Sequence, residues 1–125
     1  MDIASLVRRR LPWQLWLGMF VVWTLLLIAP GNWFPGPVAS SQVGGIGVGK
    51  LLHVGAFAVL AGSAGWLPLS LRQRTTIAFT LILHGGLTEL IQTLVPYREG
   101  SWRDMGIDTV GVMLGYLTSR WWWPA

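Results

Sequence analysis

From Leu11 to Gly49 the chain carries not one charged residue. Within that run, LPWQLWLGMFVVWTLLLIAP (residues 11–30) is long enough as a helix, at about 1.5 Å per residue, to cross a hydrocarbon core of about 30 Å. A soluble fold would have to bury such a stretch entirely, whereas a bilayer accepts it directly. Composition decides between the two. Hydrophobic residues make up 53% of the 125 positions and charged residues 11%, well below the roughly 25% of an ordinary soluble domain. A chain this short has too high a surface-to-volume ratio to hide so much apolar surface from water. The expectation is an integral membrane protein with a single domain over residues 1–125.

The rest of the chain divides in the same way. Uncharged runs cover 51–71 and, interrupted only by Glu89, about 75–95. A fourth covers about 104–123, with Asp108 near its start. The fold expected is therefore all-α: a four-helix transmembrane bundle with spans at about 11–30, 51–71, 75–95 and 104–123. The first span follows a basic start, Arg8 to Arg10. Its apolar run exceeds the roughly 7–15 residues of a signal-peptide core, and no small-x-small cleavage site follows at once. It reads as a retained helix.

Charge sets the orientation. Arg8, Arg9, Arg10, Arg72, Arg74 and Arg120 fall on one side, opposed only by Asp2. The other side carries Lys50, Arg98 and Arg103 against Glu89, Glu99, Asp104 and Asp108. Positive flanks stay inside, so both termini are expected in the cytoplasm. Tryptophans near the span ends (Trp13, Trp16, Trp66 and Trp121–Trp123 inside, Trp33 and Trp102 outside) suit the same boundaries. The glycine-rich stretch 31–49 is long for a structureless connection and reads equally as an outer lid or a slack connector. The sequence pI of 10.8 does not signal nucleic acid, because the basic residues flank apolar segments and form no patch with polar neighbours.

Spacing gathers the polar residues. Asp104, Asp108, Gly111 and Gly115 recur at helical intervals and line one stripe, two carboxylates running into a G-x-x-x-G pair suited to close helix packing. Lys50 and His53 share a face at the outer start of the second span. Glu89 and Gln92 share one near the outer end of the third. Antiparallel neighbours bring all three groups to one depth, with Arg98 and Ser101 in the loop between. Ionisable groups in a membrane helix are costly against lipid, so they should face the bundle interior and pair with one another, Lys50 or Arg98 with Glu89, Asp104 or Asp108. The same layer would also serve as plain interhelical glue. His84 reads as a packed interior histidine, and Glu99 and Arg103 as solvated loop charges. His53 and the carboxylates are ligand types a divalent metal accepts, but no tight motif such as H-E-x-x-H is present, and neither a metal nor a cofactor is expected. Without cysteine there is no disulfide and no thiol chemistry. Nucleophile-elbow, Walker and Rossmann motifs are also missing.

The order K-x-x-H (Lys50, His53), E-L-I-Q (Glu89–Gln92) and R-x-x-S-x-x-D-x-x-x-D-x-x-G-x-x-x-G (Arg98–Gly115) resembles the VanZ-like family of small bacterial membrane proteins. The resemblance covers about residues 50–119. Asp108 stands where the family usually carries Asn, and Tyr97 where Gly is common. The founding member is associated with low-level teicoplanin resistance, so the resemblance implies a multi-pass protein of the bacterial inner membrane with a role in the cell envelope. The leading expectation is binding of an anionic lipid or lipid-linked cell-wall precursor. Lys50 and Arg98 would contact phosphate. Glu89, Asp104 and Asp108 would hold those cations and His53, while Gln92 and Ser101 would supply neutral hydrogen bonds. Whether any chemistry is catalysed stays open. One alternative is an intramembrane hydrolase or transferase acting on a lipid-linked phosphate or acyl group, with His53 or Glu89 as general acid–base. Another is a structural module that assembles, as a homo-oligomer for example, through the Gly111/Gly115 face.

Overall fold

A computed structural model describes residues 2–28, 42–43, 46–95 and 102–122. Among these the chain forms four α-helices: α1 (Ile3–Ile28), α2 (Val48–Ser63), α3 (Leu71–Gln92) and α4 (Trp102–Ser119). The one strand pairing among the described residues is a two-residue antiparallel ladder. It joins β1 (Gln42–Val43) to β2 (Ile46–Gly47), with Gln42 opposite Gly47 and Val43 opposite Ile46. The ladder lies at the end of the glycine-rich stretch 31–49, most of which falls outside the described residues, as do the lid and connector readings made of it.

The helix limits differ from the expected spans for local reasons. α1 begins at Ile3, ahead of Leu11, because the arginines that flank the apolar run are strong helix formers and continue it. α2 ends at Ser63 rather than near Leu71: a 3-10 turn at Ala64–Trp66 follows, and Leu67 is extended with ψ 145°, the conformation a residue before proline favours. α3 starts early because Ser70 caps it. The Ser70 hydroxyl accepts from the Gln73 N–H at 3.2 Å, and the Gln73 side chain accepts from the Ser70 N–H at 2.9 Å. α4 carries Asp104 in its first turn, where a negative charge meets the positive end of the helix dipole.

Arg74, expected as a flanking charge, is buried. Its guanidinium donates to the carbonyls of Ala64 (3.1 Å), Gly65 (2.9 Å) and Leu67 (2.9 Å). Two of these carbonyls also accept backbone N–H groups, Ala64 from Leu67 at 3.1 Å and Leu67 from Leu69 at 2.8 Å, while Gly65 at the end of the turn takes the guanidinium as its donor, so one side chain from α3 closes the neighbouring helix. Arg74→Ala removes that donor from the interior. The expected cost is about 1–3 kcal/mol, read as a lowered midpoint in thermal unfolding of the purified protein.

α2 and α4 pack backbone to backbone. A Cβ at Gly111 would lie 2.6 Å from the Val54 carbonyl oxygen, and one at Gly115 would run into the Ala58 carbonyl and sit 2.8 Å from the Gly62 nitrogen. Val54, Ala58 and Gly62 recur every fourth residue and form the matching small-residue groove. α1 is fastened across this pair by Trp16, whose indole N–H donates to the Leu60 carbonyl at 2.8 Å. The two glycines are thus engaged within the chain.

Polarity is distributed inside out. Arg74, Thr88, Glu89, Gln92, Asp108 and Ser119 are buried, while Val22, Leu52, Val59, Phe79, Leu83 and Leu117 are exposed. Among the described residues no helix is long and apolar enough to cross a membrane. α2, at 16 residues, reaches about 24 Å, and α3 and α4 carry ionic residues that lower their average hydropathy.

Candidate functional site

His53, Glu89 and Asp108 come from three different helices and meet at one end of the bundle. His53 lies in the first half of α2, Glu89 in the last turn of α3 and Asp108 in the first half of α4. Antiparallel packing brings those segments level. His53 Nδ1 lies 2.9 Å from Asp108 Oδ1, and one ligand-capable atom from each of the three residues falls within 4.8 Å of the others. Glu89 is 3% and Asp108 1% exposed. The His53 side chain retains 14%, so it alone of the three reaches toward the outside.

The surrounding residues fix this geometry. Gly85 lies one turn before Glu89 on the same face of α3. A Cβ there would come 3.1 Å from Asp108 Cβ and 3.2 Å from Asp108 Oδ2, so the missing side chain lets the carboxylate lie against α3. α1 supplies a wall: the Trp23 ring meets the His53 imidazole edge-on at 5.7 Å and Phe57 at 6.1 Å. Asp108 Oδ2 is buried with no hydrogen-bond partner among the described residues. One oxygen of this carboxylate is therefore committed to His53 and the other is not.

The remaining predicted residues separate. Gln92 is buried, but its amide N–H donates to the Leu27 carbonyl at 2.7 Å and so ties α3 to the end of α1. Asp104, one turn before Asp108, is half-buried. Lys50 is exposed in the first turn of α2. Asp108 takes its hydrogen-bond partner from the imidazole, where a lysine or arginine partner is expected from the sequence. Arg98 and Ser101 lie outside the described residues. The cluster thus presents two carboxylates and one imidazole, a donor set that welcomes cations and protons.

A second polar contact runs deeper. Thr24 on α1 donates its hydroxyl to the Phe20 carbonyl at 2.8 Å, so the His84 Nε2 at 2.9 Å must be the donor to that hydroxyl. The ring packs on Phe20 and Phe57, at 4.7 and 6.0 Å between centroids. The contributions of Trp23 and Thr24 escape sequence reasoning, which treats the first span as an anchor. Thr24, the one hydroxyl residue between Leu11 and Ile28, was the available signal.

The VanZ/LLP1 family model matches residues 5–123, nearly the whole chain. No curated protein and no solved structure matches it.

Proposed function

The chain belongs to the VanZ/LLP1 family, and on that premise we propose that it is a multi-pass membrane protein of the bacterial cell envelope whose polar layer binds an anionic, lipid-linked headgroup. The observation that carries the membrane reading is the inside-out distribution of polarity. Beside the apolar core, three ionic side chains, Arg74, Glu89 and Asp108, are buried, and many large apolar side chains face outward, an arrangement lipid accepts and water penalises. Hydropathy averaged along a helix mixes both faces. Of the ionic residues in α3 and α4, Arg74, Glu89 and Asp108 are buried away from the surface lipid would touch, and the exposed Arg72 and Arg103 lie in the first turns, at the helix ends. The positive flanks support cytoplasmic termini, so alkaline phosphatase fused after Ser40 is expected to be active. An inactive fusion in a stably produced protein would reverse the orientation.

Lys50 is exposed one turn ahead of His53 on the same helix face. In this reading it contacts the phosphate, Arg98 being the second phosphate contact expected from the sequence, while the His53–Asp108 pair and Glu89 take hydroxyl or amine donors. The role follows the family's association with teicoplanin-type glycopeptide tolerance. The Lys50→Ala/Arg98→Ala double variant is expected to reach the membrane in normal amounts, to lose most of its binding to vesicles doped with isoprenoid-phosphate lipid, and to lose glycopeptide tolerance in cells. Retention of both binding and tolerance overturns the reading.

The His53–Asp108 contact favours a second reading. A buried carboxylate that fixes an imidazole is the arrangement general acid–base catalysts use. Turnover of the isoprenoid-phosphate lipid by the purified protein, abolished in His53→Ala, would make the protein a hydrolase or transferase.

A further inference from the structure

We propose that His53, Glu89 and Asp108 form a binding site for one divalent transition-metal cation. The first argument is the donor set: one imidazole and two carboxylates, one from each of three helices, with ligand atoms already within 4.8 Å of one another. Ligands at about 2.0–2.2 Å from a shared ion lie roughly 3–4 Å apart. The 2.9 Å between His53 Nδ1 and Asp108 Oδ1 is close to that edge, and a small rotation of the Glu89 side chain closes the rest.

The second argument is charge. Two carboxylates, 3% and 1% exposed, stand beside one imidazole. Carboxylates are hard anionic donors, so their charge favours a dication over a neutral ligand. The third argument is the oxygen Asp108 Oδ2. It is buried without a hydrogen-bond partner among the described residues and lies against Gly85, on the same face of α3 as Glu89 and one turn away. A cation in the cluster gives that oxygen its partner. The Trp23 edge holds the imidazole plane in place.

Imidazole with carboxylates suits zinc or manganese among the first-row ions, and three protein ligands leave at least one coordination position open. In the function proposed above, an oxygen of the headgroup fills that position. That step rests on the functional reading, whereas the metal site does not.

The test uses the full chain in detergent, stripped with chelator and without added lipid. Zinc uptake is followed by calorimetry and elemental analysis, and manganese binding by electron paramagnetic resonance. One equivalent per chain is expected. The near-isosteric Glu89→Gln and Asp108→Asn variants, and His53→Ala, should each weaken zinc binding at least about tenfold while eluting as the wild type does in size-exclusion chromatography. A folded wild type that takes up no more zinc or manganese than the triple variant overturns the site, as does zinc binding that survives in all three single variants. Zinc uptake without headgroup binding would leave the metal site standing and overturn the functional reading instead.

Discussion

Valine in place of Gly115 is expected to drive α2 and α4 apart and to cost about 3 kcal/mol or more of stability. A Cβ at this position runs into the Ala58 carbonyl and lies 2.8 Å from the Gly62 nitrogen. Both obstacles are backbone, so no rotamer change relieves them and the helices themselves must separate. Small residues make the α2–α4 junction tight, because they let the two backbones approach closely and pack in direct contact. The outcome to measure is a lowered unfolding midpoint by tryptophan fluorescence, together with aggregation or early elution in size-exclusion chromatography. Gly55 provides the comparison within the same bundle. A Cβ there meets nothing within 4 Å, so Gly55→Ala should be neutral or stabilise α2 by up to about 1 kcal/mol through helix propensity. Equal losses at both positions would mean that generic glycine replacement, and not the α2–α4 junction, is being read.

Asp108→Ala is expected to destabilise the protein by about 2–4 kcal/mol and to make a later His53→Ala change nearly free. His53 Nδ1 and Asp108 Oδ1 are 2.9 Å apart and the carboxylate is 1% exposed. Removing the acid leaves an imidazole whose polar nitrogen is without its partner in a poorly solvated place. Removing both leaves no such orphan. The double-mutant cycle should therefore give a coupling of about 1–3 kcal/mol. Asp108→Asn keeps a carbonyl oxygen for the imidazole N–H and should lose less than alanine does. The hydrogen bond to His53 is thus a feature an amide can preserve. Additive losses in the cycle would show that the two side chains act independently.

The fold was legible because its signals are local. Charge-free runs marked the helices, and the start of α3 is written in the Ser70–Gln73 pair. The glycines and carboxylates of α4 recur at a helical period that any helix must turn into a stripe. Side-chain partners were not legible to the same degree. A charge count assigns Arg74 to a flank, yet it closes the end of α2 through three carbonyls. Gln92 stands one turn from Glu89, yet its amide reaches the Leu27 carbonyl on α1. Each of these pairings depends on how far a helix is rotated about its axis against its neighbour. Side-chain spacing within one helix carries no information on that rotation.

What the sequence by itself determined is therefore the set of elements and the polar residues each would present. Apolar runs of that length favour helices, which satisfy their own backbone hydrogen bonds, and an ionic group buried among them is costly unless it finds a partner. What only the tertiary structure decided is which of those groups share a site. Gly111 and Gly115 let α4 sink onto α2, and Gly85 lets Asp108 lie against α3. Those close approaches bring ligand-capable atoms of His53, Glu89 and Asp108 within 4.8 Å of one another and leave Lys50 exposed. The physical reason is steric: the depth to which helices interpenetrate is set by pairs of small residues on different segments, and such a pair exists only once the segments have met.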